Sequence, residues 1–259
     1  MKKLLALYFS GTGNTAYAVA RFCSRLSEAG VECKIVNIEN FSQEEKKFEN
    51  TKNFSREEKF DADTILFAYP IYGSALPRIV KNFLAQNSEL FAKKNLITLA
   101  TQYKFSGDGG ALAARKIKCA HIAAIHVNMP NNVTDIFSFL GGNSRAEINF
   151  ILEKANKKID NCAQKILNGE PVFDGIGFFS WAAGFFLQRF YFFFIEKFLR
   201  DKIKISHELC NNCKKCEKNC PMSDMKNCTL CYRCINFCPQ KAISLMSKNK
   251  PKIQFGGVK

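Results

Sequence analysis

Over the first 168 residues, short apolar runs alternate with stretches in which apolar residues recur every three or four positions. Residues 3–9 are a continuous apolar run, which reads as a buried strand. The helix expected after it places Ala16, Val19, Ala20, Cys23 and Leu26 on one face. Residues 31–38, 64–69, 96–100 and 121–127 predict strands two to five. A last helix is expected over about 145–168, with Ile148, Leu152, Ala155, Ile159, Cys162 and Ile166 at helical spacing. Strands that alternate with helices predict an α/β fold with a doubly wound, five-stranded parallel sheet covered on both faces. Ligands of such sheets bind beyond the carboxyl ends of the strands, at the switch point in strand order.

Two stretches break this alternation. Asn40-Phe41-Ser42-Gln43-Glu44-Glu45-Lys46 returns thirteen residues later as Asn53-Phe54-Ser55-Arg56-Glu57-Glu58-Lys59. Repeat architectures need three or more units, so this charged pair reads as a solvated insertion. Residues 176–199 are apolar and rich in phenylalanine. The longest charge-free run there, 175–188, is 14 residues, short for a bilayer crossing, and Arg189, Glu196 and Lys197 interrupt the remainder of the stretch. A buried or interfacial connector, packed against both neighbouring domains, is the expectation. Attachment to a membrane surface is the alternative, because aromatic-rich helices flanked by basic residues lie on anionic lipid.

Between the first strand and the first helix stands Ser10-Gly11-Thr12-Gly13-Asn14-Thr15. Strand, small-residue loop and helix is the layout of a phosphate site, where loop and helix N–H groups point at the anion. The hydroxyls of Ser10, Thr12 and Thr15 add neutral donors suited to a phosphate monoester. The run is not the dinucleotide fingerprint and has no P-loop lysine; an ordinary strand-to-helix turn is the competing reading. Three later loops fall at the same end of the sheet: Pro70 to Pro77, Thr101 to Gly110, and Met129-Pro130-Asn131-Asn132. Gly107, Gly109 and Gly110 permit close backbone approach. The loop at 129–132 fits either the ligand pocket or the domain junction.

Eight of the twelve cysteines lie within the last fifty residues. They read Cys210-x2-Cys213-x2-Cys216-x3-Cys220-Pro221 and then Cys228-x2-Cys231-x2-Cys234-x3-Cys238-Pro239. This run, twice, is the ligand pattern of two [4Fe–4S] clusters. Zinc sites more often present pairs of cysteines separated by a longer gap. His207 reads as a surface or strand-edge residue. Cys23, Cys33, Cys119 and Cys162 sit in helix- or strand-like contexts and read as small buried hydrophobes.

These motifs carry two resemblances. Residues 203–259 resemble bacterial two-cluster ferredoxins, although only Pro221 to Asn227 separate the two runs, less than the family's usual strand-and-turn excursion. In that family the fourth cysteine of each run serves the other cluster. The resemblance therefore implies one set of Cys210, Cys213, Cys216 and Cys238, and another of Cys228, Cys231, Cys234 and Cys220. Residues 1–168 resemble flavodoxins through Ser-Gly-Thr-Gly-Asn-Thr, the loop type those proteins use for the FMN phosphate. This implies FMN held by Ser10, Gly11, Thr12, Gly13, Asn14, Thr15 and Ala16. Pro70, Ile71, Tyr72 and Gly73 would border the ring, with Tyr72 stacked on it or simply a surface tyrosine. Thr101, Gln102, Tyr103, Phe105, Gly107, Asp108 and Gly109 would follow the ring edge. The whole chain is similar to the flavodoxin–ferredoxin fusion proteins found mainly in anaerobic bacteria. Its expected parts are a flavodoxin-like domain (1–170), a hydrophobic helical connector (171–202) and a small α+β ferredoxin-like domain (203–259).

Composition narrows the function. The start of the chain mimics a short signal peptide but flows into the Gly/Thr turn without a cleavage-type site, so a cytoplasmic, reducing setting is expected. The formal net charge is +15. Nucleic-acid binding is not expected, since no such module is recognisable. Residues 201–259 hold 12 Lys/Arg against 4 Asp/Glu. Thiolate-ligated clusters are negative, so part of this excess offsets them; the remainder suggests an acidic redox partner protein. The expected function is electron transfer between FMN and the clusters, converting between one- and two-electron chemistry. The alternative is a flavin-dependent reductase of a quinone or nitro compound. No catalytic acid or base is assigned.

Overall fold

Side chains alternate across a strand, and the first strand, β1 (Lys3–Tyr8), is apolar on both sides. Leu5 and Leu7 enter one core with Phe67, Val80, Phe83 and Phe91. Leu4 and Ala6 enter a second core, on the other face, with Val19, Phe22, Ile125 and Ile159. A strand used on both faces must lie inside a covered sheet, and the computed structural model shows this. It describes residues 1–43, 61–117, 119–133, 144–222, 227–245 and 254–258.

The other strands of the main sheet are β2 (Glu32–Asn37), β3 (Thr64–Pro70), β4 (Asn95–Gln102), β5 (Ala120–Asn128) and β6 (Val172–Phe173). All neighbours pair in parallel, in the order β2-β1-β3-β4-β5-β6. The first five follow the flavodoxin-like order, with its switch point between β1 and β3. The sheet has six strands among the described residues, where five were expected. The sixth is two residues long, paired with Ala123 and Ala124 of β5. Most of residues 40–60, with the charged echo, falls outside the described residues.

Helices α1 (Asn14–Glu28) and α3 (Arg145–Leu167) pack on one face of the sheet, and α2 (Arg78–Gln86) packs on the other. Arg21 and Arg25 of α1 both reach Asp160 of α3, at 2.7 and 3.0 Å. A capping box starts α3: Ser144 Oγ accepts the Glu147 N–H, and the Glu147 carboxylate accepts the Ser144 N–H.

After β6 the apolar segment forms one helix, α4 (Phe178–Asp201), with a π-helical stretch at Phe185–Arg189. The expectation of a buried or interfacial connector needs correction on one point: the segment is not buried all round. Only one side of α4 packs against the rest of the chain; Phe178, Phe179, Phe186, Phe193 and Phe194 are exposed. The reason is geometric. A helix that is apolar all round can hide only the face that meets a neighbour.

The cysteine-rich end forms two short helices, α5 (Lys215–Lys218) and α6 (Arg233–Asn236), and an antiparallel pair, β7 (Ile203–Ile205) with β8 (Ile243–Leu245). Tyr232, Ile235, Ile243 and Leu245 make its small core.

Candidate functional site

The carboxyl ends of β1, β3, β4 and β5 open onto a cavity of about 660 Å³. Ser10, Gly11, Thr12, Asn14 and Thr15 line its floor, where α1 begins. Gly13, the residue before α1, takes φ 103, and no side chain caps the helix. The free N–H groups of its first turn are therefore available to an anion. Ser10 Oγ accepts the Gly13 N–H at 3.1 Å. Thr15 Oγ1 and Thr101 Oγ1 share a hydrogen bond of 2.7 Å, which ties the loop to the end of β4. Asn14 Nδ2 donates to Pro130 O at 2.9 Å, while Asn14 Oδ1 is buried with no protein partner.

Pro70, Ile71, Tyr72 and Gly73 form one wall, and Thr101, Gln102, Tyr103 and Phe105 another. The Tyr72 hydroxyl is buried without a hydrogen-bond partner, and burial holds its pKa well above the ordinary tyrosine value. The 129–132 loop does both things open to it. It lines the cavity. Asn132 also donates to Thr12 Oγ1 and accepts from Asn236 Nδ2, both at 2.9 Å, so it joins the two parts of the chain.

Gly13, Ala16, Gly107, Asp108 and Gly109 stand outside the cavity lining. For the last three the structure gives another use. Asp108 is fully buried, and its carboxylate pairs with Arg115 and with Arg189 of α4. Gly107 meets Gly184 of α4 backbone to backbone, with no room for a Cβ. Gly109 lies against Ile71. This loop seats α4 as well as walling the cavity.

Residues with no recognisable motif in the sequence complete the enclosure. Leu187, Gln188, Tyr191, Phe192, Ile195 and Leu199 of α4 form the far wall, and Leu230, Tyr232 and Leu245 come from the cysteine-rich end. Positions 188, 191, 192, 195 and 199 follow helical spacing. That signal is present but masked, because every face of the segment is apolar.

The two cysteine runs have the same local backbone. In the first, Asn212 and Lys214 flank Cys213 with φ 55 each. In the second, Leu230 and Tyr232 flank Cys231 with φ 55 and 61. Left-handed conformations at non-glycine residues are uncommon, and here they recur at matching positions. Such alternation turns successive N–H groups inward, a form found at phosphate and Fe–S sites. A four-residue helix begins directly after each pair, at Lys215 and at Arg233.

Cys220, Cys228, Cys231 and Cys234 line one small cavity of about 30 Å³. Burial pushes the Cys231 thiol up to about 12, with Arg233 opposing the rise. Leu230 N–H lies 3.3 Å from Cys228 Sγ. Cys216, Cys234 and Cys238 all pack on the small core. Cys210 and Cys213 are exposed. Cys23 and Cys162 are buried, and Cys33 and Cys119 are half-buried. Among the described residues, no three His, Cys, Asp or Glu side chains converge at the spacing of a single metal ion.

Arg233 joins the two ends of the molecule. Its guanidinium donates to Ser10 O at 2.7 Å and Gly11 O at 2.9 Å, and pairs with Glu39 at 2.6 Å. Thr229 Oγ1 accepts the Ile79 N–H at 3.4 Å. Val258, near the end of the chain, passes over Gly13.

The model of a 4Fe-4S binding domain matches twice, at residues 207–223 and 225–241. The chain is similar to one component of an ion-translocating oxidoreductase complex from Methanosarcina acetivorans, 45% identical over 47 residues. That match covers 14% of this chain and 18% of the relative, so the chain spans under a fifth of that protein's length. Among solved structures it is similar to a flavodoxin from the domain Archaea, 13% identical at a TM-score of 0.40, covering 64% of this chain and 99% of that one. It is also similar to the Fusobacterium nucleatum flavodoxin bound to flavin mononucleotide, 12% identical at 0.41, covering 65% and 98%. Strand order gives the chain a flavodoxin-like α/β fold, and each of its two cysteine runs matches a 4Fe–4S binding domain.

Proposed function

We propose that this chain is an electron relay that binds FMN in the large cavity and two [4Fe–4S] clusters on its two cysteine sets. One observation carries the reading: a single cavity is lined both by the Ser10–Thr15 loop and by Leu230 and Tyr232, which flank Cys231. The residues present fit each group. The uncapped start of α1 and the hydroxyls of Ser10, Thr12 and Thr15 suit a phosphate monoester. The cavity lies in the range of cofactor sites, a few hundred to ~1,000 Å³. For the clusters, soft thiolates in matching inward-turned loops suit iron–sulfur. The duplicated triplets, each followed by Cys-Pro, suit the four corners of a cubane better than the paired spacing of zinc sites.

FMN exchanges one or two electrons and each cluster exchanges one, so a protein holding both interconverts the two regimes. The chain's own residues hold the parts in register. Arg233 and Asn132 fix the second cysteine run against the phosphate loop, and Thr229 fixes it against α2. Leu187, Tyr191, Phe192, Ile195 and Leu199 wall the cavity on the side of α4. The basic surface favours an acidic protein partner.

The test is an oxygen-free preparation with flavin, iron and zinc quantified and its EPR spectrum recorded. The expected result is one FMN and about eight irons per chain. Thr12→Ala and Asn14→Ala should release flavin and keep iron. A colourless preparation that carries zinc, or FMN retention unchanged in both variants, overturns the assignment.

A further inference from the structure

The outer face of α4 is the largest unexplained feature of the molecule, and it goes beyond the relay proposed above. Phe179, Phe186, Phe193 and Phe194 are 86, 60, 75 and 63% exposed. Neighbouring rings touch in a chain: Trp181 stacks on Phe185 at 5.8 Å, Phe185 meets Phe190 at 6.4 Å, and Phe190 meets Phe194 at 5.1 Å. A contiguous exposed apolar surface of this kind marks a binding face.

Charge selects the occupant. Residues 176–204 carry five basic and two acidic side chains, and the whole chain is +15. Of the two acidic side chains, Glu196 is mostly covered and pairs with Arg200. Lys202 lies over the Phe198 ring, and Lys104 adjoins the exposed Phe105, whose carbonyl accepts from Gln188 of α4. Aromatic rings interleaved with lysines are the composition of helices that lie in an anionic bilayer surface. A second copy of this chain would bring two strongly positive molecules together.

We infer that the outer face of α4 docks the protein on an anionic lipid bilayer, with the helix in the plane of the surface. By length and composition the helix is long enough to cross a membrane. Its inner side is fastened along its length, however. Gly184 meets Gly107, Gln188 bonds Ser74, Arg189 pairs with the buried Asp108, and Phe192 packs on Gly73. Crossing would strip all four contacts, whereas surface docking keeps them.

Vesicle flotation of the cofactor-loaded protein tests this, with phosphatidylcholine alone or mixed with phosphatidylglycerol. Trp181 is the only tryptophan, and its ring lies against Phe178, Phe185 and the exposed Phe186, so its emission is a second reading. The protein should float with the anionic vesicles, less so at high salt, and Trp181 emission should shift to the blue. Phe179→Ser with Phe193→Ser removes two exposed rings that support no core, and should lower vesicle partition at least ~tenfold while cofactor content stays constant. Protein left unbound by anionic vesicles, or flotation unchanged in the double variant, overturns the inference. So does a dimer in solution that the double variant dissociates, since the face would then belong to a second copy.

Discussion

Gly11 and Cys231 touch through their backbones: a Cβ placed on Gly11 would lie 2.6 Å from the Cys231 carbonyl oxygen. The two residues are 220 positions apart in the chain. One belongs to the phosphate-type loop and the other to the middle of the second cysteine run. Any property of one loop is thus felt by the other, and no side chain intervenes.

Gly11→Ala should therefore damage both ends at once. The new methyl meets a backbone carbonyl, which cannot rotate away, and the Tyr72 hydroxyl at 3.0 Å. Overpacking of this type costs about 1–3 kcal/mol. Urea unfolding should show the loss, and flavin affinity should fall with it. Gly256→Ala, where an added Cβ meets nothing within 4 Å, is the control and should stay within about 0.5 kcal/mol of the parent.

Arg233 should prove the strongest single link between the two ends. Its side chain and that of Glu39 are 17 and 14% exposed, so Arg233→Ala would strand a mostly covered carboxylate and two loop carbonyls. Breaking such a pair costs about 3 kcal/mol. Arg233→Met combined with Glu39→Gln should recover part of that stability, because neither partner is then left charged. Denaturation midpoints of the two single variants and the double variant decide it. Equal destabilisation by Arg233→Met and the double variant, with Glu39→Gln close to the parent, would show that the hydrogen bonds to Ser10 and Gly11, and not the ion pair, carry the link.

Asp108→Asn should loosen α4. The aspartate lies wholly buried between Arg115 and Arg189, and the amide leaves both cations without a countercharge. A loss of about 3 kcal/mol is expected. Limited proteolysis should reveal faster cleavage within 178–201. Unchanged protection of that segment would mean that the Gly107–Gly184 contact, Phe192 and the bonds to Ser74 suffice to hold the helix.

The sequence made some of this plain and hid the rest for identifiable reasons. Strands buried on both faces are continuous apolar runs, so β1 to β5 were visible to within a residue or two. β6 was not, because Val172 and Phe173 alone have no period to read. The cysteine spacings were legible directly, and the 4Fe–4S binding domain matches both runs. Of the left-handed residues around Cys213 and Cys231, only Asn212 is of a type enriched at positive φ; Lys214, Leu230 and Tyr232 carry no such signal. Asp108 resembled a loop residue near a ligand, and only the fold brought Arg189 to it. α4 was legible as apolar but not as one-sided. Its inner face is marked by Ser180, Gly184 and Gln188 at four-residue spacing, a weak pattern among so many phenylalanines.

His126 should give the protein an acid-side weakness. Its ring is buried, and Nε2 accepts the Gly110 N–H at 2.6 Å, so the native ring is neutral. Burial lowers its pKa below the ordinary 6.5, with Asp174 acting the other way. The unfolded chain then binds a proton more readily than the native one once the pH falls to about 6.5 and below. Stability contributed by neutral His126 is present above that pH and is lost as the pH falls towards the depressed native pKa. Burial shifts His121 in the same direction, so the slope is shared. Unfolding measured between pH 7.5 and 5.5 should show stability falling with acidification. His126→Gln, which keeps a polar partner for Gly110 but cannot titrate, should flatten part of that slope, at some cost in absolute stability. A slope unchanged in the variant would assign the acid sensitivity to other groups.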